Sequence, residues 1–328
     1  MNAEDLLIAG LRELIEAQPR NRKMLNRIGD DAAVWQPSRS NRSVVTSDAL
    51  VEGVHFRLDT MGLEDAGWRA MASNLSDLAA MGSRPVLATV NLGIPPDTVN
   101  EDVFALYRGM LAVASQHGCT IAGGDITRAP QWVVSITAVG EVRPSNVKGR
   151  GGARIGDVVA VTGPLGASRA GLHLADNVNM LSPDLANQAV TAHRRPAPRV
   201  AEGQFLAASG HVHAMMDISD GLSTDLNRMC ERSACAAVVE EVPVAACAQA
   251  LARARGEDAQ AYALAGGEDY ELLVAVNARA FGYLSSRFRK RFGRPLLPVG
   301  QLREGTGLFT RKGGREEPLA PTGWDHLK

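Results

Sequence analysis

Seven aspartates stand beside Gly, Ser or Thr at the ends of apolar runs, in five clusters spread along the chain: Gly29-Asp30-Asp31, Thr46-Ser47-Asp48, Ser76-Asp77, Gly123-Gly124-Asp125 and Asp217-Ile218-Ser219-Asp220. An aspartate next to residues small enough for backbone to approach backbone is suited to ligate a hard cation through oxygen. Several such carboxylates repel one another, and divalent cations between them are the simplest way to keep them ionised. Magnesium retains waters and shares its coordination with phosphate oxygens, so the pattern reads as a nucleotide-phosphate site. Singly each motif is weak, because Gly-Asp and Ser-Asp are common turn and cap pairs. Jointly they carry the reading.

Other residues could complete such chemistry. Asp217 and Asp220, with Ser219 between them, open a helix whose N-terminal amides favour an anion, an ordinary N-cap being the alternative. Arg150 stands in Lys148-Gly149-Arg150-Gly151-Gly152-Ala153-Arg154, a flexible glycine frame where its fork could grip phosphate or simply carry a solvated charge. His55 could bond a substrate phosphate or be structural. Gly266-Gly267-Glu268-Asp269-Tyr270-Glu271-Leu272 sets three acids around a double-glycine turn, as an anchor for a substrate nitrogen or as a loop-to-strand junction. Trp324 could stack on a cationic heterocycle or pack the tail. His211 and His213 share a strand face without a third soft ligand, which argues against zinc. The common phosphate-holding devices are missing: there is no Gly-Lys dipeptide, hence no Walker loop, and no dinucleotide or protein-kinase motif.

These residues need a scaffold. At 328 residues, with 45% hydrophobic and 22% charged, the chain is long enough for two globular domains. Lys plus Arg, 35, nearly balance Asp plus Glu, 36, which removes the diffuse positive field that nucleic acid or an anionic membrane would need. The acidic start and the lack of a bilayer-length apolar run predict a cytoplasmic protein. Cys119, Cys230, Cys235 and Cys247 form no Cys-x-x-Cys pair and read as buried thiols. Periodicity predicts helices over 5–17, 64–81 and 100–116, and strands over 44–46, 86–92, 119–122 and 132–142. The glycine-rich stretch 148–154 is the best boundary. Beyond it strands and helices alternate, with strands at 157–162, 212–216, 236–241, 270–276, 296–300 and 308–311. Strand pairs without crossover helices favour two α+β domains with mixed sheets over a doubly wound parallel sheet.

In order along almost the whole chain, the acidic clusters, the run Asn74-Leu75-Ser76-Asp77-Leu78-Ala79-Ala80-Met81-Gly82 and the segment Gly266–Leu272 resemble the thiamine-monophosphate kinase family. That family lies in the wider superfamily of aminoimidazole ribonucleotide synthetase. The resemblance implies two domains, 1–148 for ATP, magnesium and dimerisation and 149–328 completing the active site, in a homodimer. It implies that Asp31, Thr46, Ser47, Asp48, Asp77, Asp125, Asp217 and Asp220 ligate magnesium, and that Gly124, Asp125, Arg150 and Ser219 contact ATP. His55, Glu268 and Trp324 would contact thiamine monophosphate. In-line transfer of the γ-phosphoryl group of ATP would then depend chiefly on Asp31, Asp48, Asp77, Asp217 and Arg150. The rivals are an ATP-dependent cyclase or ligase of the same superfamily and a non-catalytic ATP and magnesium sensor.

Overall fold

The structure, a computed structural model, describes residues 3–19, 23–26, 28, 32–175 and 180–323. It divides into two compact units, Met1–Leu78 with Ser83–Pro144, and Ala79–Gly82 with Ser145–Lys328. Both are α+β with mixed sheets.

The first unit opens with α1 (Ala3–Glu16) and a small antiparallel pair, β1 (Met24–Asn26) with β2 (Val34–Trp35). Then come β3 (Arg42–Val51), α2 (Leu63–Ala80), β4 (Arg84–Ile94), α3 (Asn100–Gln116), β5 (Thr120–Arg128) and β6 (Val133–Val142). The sheet order is β3-β6-β4-β5, with β4 and β5 parallel and the other pairs antiparallel. Alternation in β6 turns Val134, Ile136 and Ala138 into the core, while Ser135 and Thr137 lie on the opposite, more polar face. The buried faces of α2 (Ala70, Met71, Leu75, Leu78) and α3 (Leu106, Met110, Val113) complete that core.

Two expectations are corrected here. The predicted strand 44–46 is part of a ten-residue strand, and the strand predicted to stop at Ala122 continues to Arg128. Thr46-Ser47-Asp48 and Gly123-Gly124-Asp125 therefore lie inside strands, not at strand ends. The reason is tertiary: β3 pairs with β6 along its whole length, from Arg42 opposite Val142 to Val51 opposite Val133, and that ladder outweighs the polarity of the segment.

The second unit contains β7 (Val158–Val161), α4 (Ala167–Leu174), α5 (Pro183–Arg194), α6 (Val200–Ala208), β8 (Val212–Asp217), α7 (Leu222–Ser233), β9 (Ala236–Val239), α8 (Ala246–Ala254) and α9 (Ala259–Leu264). It ends with β10 (Leu272–Val276), α10 (Ala278–Phe292), β11 (Leu297–Arg303), β12 (Gly307–Lys312) and β13 (Arg315–Leu319). The sheet order is β13-β12-β9-β11-β7-β10-β8, antiparallel except where β12 runs parallel to β9. Leu272–Val276, paired on both sides by β7 and β8, is buried at every position, as a strand covered on both faces must be. One core lies between the sheet and α7; a second joins α4, α5, α8 and α9 around Leu174, Leu251 and Tyr262.

The 148–154 stretch is anchored at two points. Gly149 O accepts the Met215 amide (3.0 Å) and the Ala153 amide donates to Ser233 Oγ (3.2 Å), so the segment is tied to β8 and α7. The two compact units part between Pro144 and Ser145. No helix among the described residues is long and apolar enough to cross a membrane.

Candidate active site

In the first unit, α2 and β3 meet through polar side chains. Thr46 Oγ1 donates to Asp77 Oδ2, and the Asp48 amide donates to Asn74 Oδ1 (3.2 Å), Asn74 being itself held by its bond to Ala70 O (3.0 Å). Asn74 and Asp77 are one helical turn apart and so share a face. Thr46 and Asp48, two apart on a strand, also share one. Ser47 lies on the other face, where its hydroxyl donates to Ile136 O (3.1 Å) and accepts from Thr137 Oγ1 (3.2 Å). Register places Asp125 on that same face, through Asn91 and Ser135. Gly124 lies so close to β4 that a Cβ there would come 1.7 Å from Val90 O, so only glycine fits.

Asp77 stands three residues before the end of α2. Its charge opposes the helix dipole there, by about 0.3–1 kcal/mol. A cation at that point would relieve the conflict.

His55 closes a tight turn after β3. Its Nδ1 accepts the Val51 amide (3.1 Å), so in the neutral ring Nε2 carries the proton and is a donor.

In the second unit, buried Asp217 ends β8 opposite Leu272. Beyond the strands the pairing continues irregularly: the Ile218 amide donates to Glu271 O (2.8 Å), the Glu268 amide to Ser219 O (2.7 Å) and the Tyr270 amide to Ile218 O (3.0 Å). The turn 217–220 and the loop 266–271 thus form one piece, which brings Asp217, Ser219 and Asp220 beside the backbone of Glu268. The amides of Ser219 and Asp220 do not wait for a phosphate: both donate to Asp225 Oδ2 (3.1 Å each), and Gly221 is the N-cap of α7. Arg228 bonds both Asp220 and Asp225. Burial, then the Asp220 charge, push the Asp225 carboxyl up to about 6, against the Asp220 amide and the Arg228 and Arg150 charges. That electrostatic reach places exposed Arg150 in the same neighbourhood.

The three acids after the glycine pair are sorted by the fold. Glu271 is buried and accepts from Arg199 (2.6 and 3.0 Å) and Thr162 Oγ1 (2.5 Å), with Arg294 at 3.4 Å. Asp269 accepts the Gly166 and Ser168 amides (2.6 and 3.1 Å). Glu268 and Tyr270 have φ of 62° and 51°. For residues with side chains this left-handed conformation costs on the order of 1–2 kcal/mol each.

Asp31 and Trp324 lie outside the described residues. The chain just before Trp324 is tied to α7, since the Thr322 amide donates to Ser223 Oγ (3.1 Å) and the Gly323 amide to Thr224 Oγ1 (3.0 Å). Among the described residues, no three His, Cys, Asp or Glu side chains are grouped as a metal site. His213 pairs with Asp157 (2.9 Å) and His211 packs edge-on against Tyr283, both structural duties. The sequence singled out Asp269 and Glu271 as acids of the double-glycine loop but not their helix-capping and arginine-binding duties, and it did not single out Asp225, Arg228 or Arg199. Of these three only Asp225 had a local signal, a carboxylate in the first turn of a helix that follows an Asp-rich turn.

Residues 29–142 match the AIR synthase related protein N-terminal domain, and residues 154–282 match its C-terminal domain. Fold and site thus define a two-domain protein of the AIR synthase related type. By sequence, the thiamine-monophosphate kinase of Synechococcus elongatus is 37% identical over 306 residues, 91% of each chain. By structure, thiamine-monophosphate kinase from Stenotrophomonas maltophilia K279a matches with a TM-score of 0.83 at 35% identity over 94% of this chain and 96% of that one, and AaThiL complexed with AMPPCP and TMP with a TM-score of 0.77 at 31% identity over 99% of each. The chain belongs to the thiamine-monophosphate kinase family.

Proposed function

We propose that this chain is an enzyme that phosphorylates thiamine monophosphate with ATP, giving thiamine diphosphate and ADP by direct in-line transfer. The observation that carries the reading is the end-to-end match to AaThiL, whose complex holds AMPPCP and TMP together. An oxygen of the acceptor phosphate bonds the γ-phosphorus as the bond to the β,γ-bridging oxygen breaks, and ADP leaves. That oxygen is already anionic near neutral pH, so the protein needs no strong base, and alignment and charge stabilisation carry the rate. Arg150 steadies the transferred charge, Ser219 and Gly124 line the nucleotide, and the Nε2 proton of His55 serves the acceptor phosphate. Glu268 and Trp324 hold the thiamine cation.

The donor set fits magnesium. Every proposed donor is an oxygen: in the first unit Asp48, Asp77 and the Thr46 hydroxyl on one face of the sheet and Asp125 and the Ser47 hydroxyl on the other, and in the second unit Asp217 together with Asp220, which would share its charge between Arg228 and the cation; Asp77 occupies a place where a cation relieves the helix dipole. Asp31 joins them on the sequence resemblance. When bound, magnesium would offset the repulsion between two phosphate anions.

We also infer a homodimer. β3 is an edge strand of ten residues, of which only Leu50 is buried, and Val45 is 64% exposed. An open, long, partly apolar edge of this kind is what a second copy would cover. A cytoplasmic location agrees with four buried cysteines that form no disulfide.

The test is an assay with ATP, thiamine monophosphate and magnesium, following thiamine diphosphate by chromatography. Diphosphate with stoichiometric ADP, abolished by EDTA, is expected; ATP turnover without diphosphate rejects the reading. Light scattering should give twice the chain mass, and a monomer would reject the dimer.

A further inference from the structure

Asp269 sits between the two left-handed residues of the 266–271 loop and is anchored in a way its neighbours are not. Its two oxygens have separate partners, Oδ2 accepting the Gly166 amide (2.6 Å) and Oδ1 the Ser168 amide (3.1 Å). Those amides open α4, whose N-cap, Gly166 at φ 88°, has no side chain of its own to satisfy them. The helix start is therefore capped by an aspartate about a hundred residues away, and the dipole favours that negative partner. The contact is close in backbone terms too: a Cβ on Gly266 would stand 3.3 Å from Gly166 Cα. On its other side the loop is held through main chain, by the Glu268 amide to Ser219 O and the Tyr270 amide to Ile218 O.

A non-glycine residue at positive φ returns to the favoured basin unless its surroundings hold it. Main-chain bonds from Glu268 and Tyr270 fix the two outer points of the loop, and Asp269 fixes the point between them. We infer that Asp269 is a positioning residue for thiamine-monophosphate binding, tying the loop to the start of α4 so that Glu268 presents its carboxylate to the substrate. The inference rests on the reading of Glu268 as a substrate contact. Desolvation within the loop pushes the Asp269 carboxyl up to about 7, against the Gly166 and Ser168 amide bonds, as expected of a group turned inward.

The test is steady-state kinetics of the full chain as wild type, Asp269→Ala, Asp269→Asn, Glu268→Gln and the double variant Glu268→Gln with Asp269→Ala. Misplacing a contact by about 1 Å can cost roughly a hundredfold, so Asp269→Ala should raise KM for thiamine monophosphate about 10–100-fold. KM for ATP should stay within about twofold, since the turn at Ser219 keeps its own bonds. Asp269→Asn keeps one acceptor oxygen and should raise the same KM only a few-fold. The double variant should bind no worse than the more affected single variant, because both act on one contact. A raised KM in Glu268→Gln with an unchanged KM in Asp269→Ala overturns the inference alone, as does an equal rise for both substrates. An unchanged KM in an active Glu268→Gln enzyme rejects the substrate-contact reading and the inference with it. Should the alanine variant not fold, Asp269→Asn decides: a KM equal to wild type overturns the inference.

Discussion

The acids of the two units are held in different ways. In the first unit, Asp77 meets the hydroxyl of Thr46, and the Asp48 backbone meets the amide of Asn74. In the second, Asp220 and Asp225 face the guanidinium of Arg228, and Glu271 faces those of Arg199 and Arg294. A hydroxyl orients a carboxylate without cancelling its charge, whereas an arginine clasp neutralises it within the protein. Loss of Asp48 or Asp77 should therefore cost activity, and loss of an arginine-clasped acid such as Glu271 should cost stability.

The sharpest break of that contrast comes from Asp77→Asn or Asp48→Asn, which should lower turnover about a thousandfold, near 4 kcal/mol of transition-state stabilisation. The unfolding midpoint should move little, and the stabilisation that added magnesium gives to the wild type should vanish. A variant active at limiting magnesium would remove that residue from the metal set. Asp217→Asn tests whether a buried acid of the second unit belongs with this group, by the same loss of turnover with the fold retained.

Glu271→Ala is the reverse case. It leaves Arg199 and Arg294 without their central partner, and urea unfolding should show a loss on the order of 3 kcal/mol. Unchanged stability would mean that the arginines repair the gap with water or Glu202.

Glu141 extends the contrast into the first unit, for it is clasped like Glu271. Burial raises its pKa, but bonds from Lys23 and from Ser38 (2.7 and 2.9 Å) outweigh that and hold it down to about 2. A folded value below the ordinary 4.5 means stability that is present above pH 4.5 and lost as pH falls through about 2. At neutral pH Glu141→Gln should lose roughly 2 kcal/mol. Its deficit against wild type should shrink between about pH 4.5 and 2. A deficit that does not change with pH would show that the charge at Glu141 is not what holds Lys23 and Ser38 in place.

The smallest effect is expected for Arg228→Ala. Its side chain is 38% exposed, so solvent screens the pair and the loss should be near 1 kcal/mol. With Arg228 gone, the Asp225 carboxyl should rise further above about 6, which NMR titration would detect.

Much of the fold was legible from local pattern. The helix expected over 64–81 is Leu63–Ala80, and the one expected over 100–116 is Asn100–Gln116, because amphipathic spacing and a following glycine act within a few residues. The family was legible as well, since its acidic motifs occur in order along the chain. The length of β3 was not: its polar sequence becomes a strand only against β6, which lies over 80 residues later.

The sequence alone determined which groups are present and that they are oxygen ligands beside small residues, because residue type and neighbour spacing are local properties. Tertiary structure alone decided their duties. Glu268, Asp269 and Glu271 stand within four positions of one another and look equivalent in a string of letters. Yet one is held at positive φ, one caps a helix and one closes an arginine cluster. Each duty is set by a partner that folding brings from far along the chain: Ser219, Gly166 and Arg199.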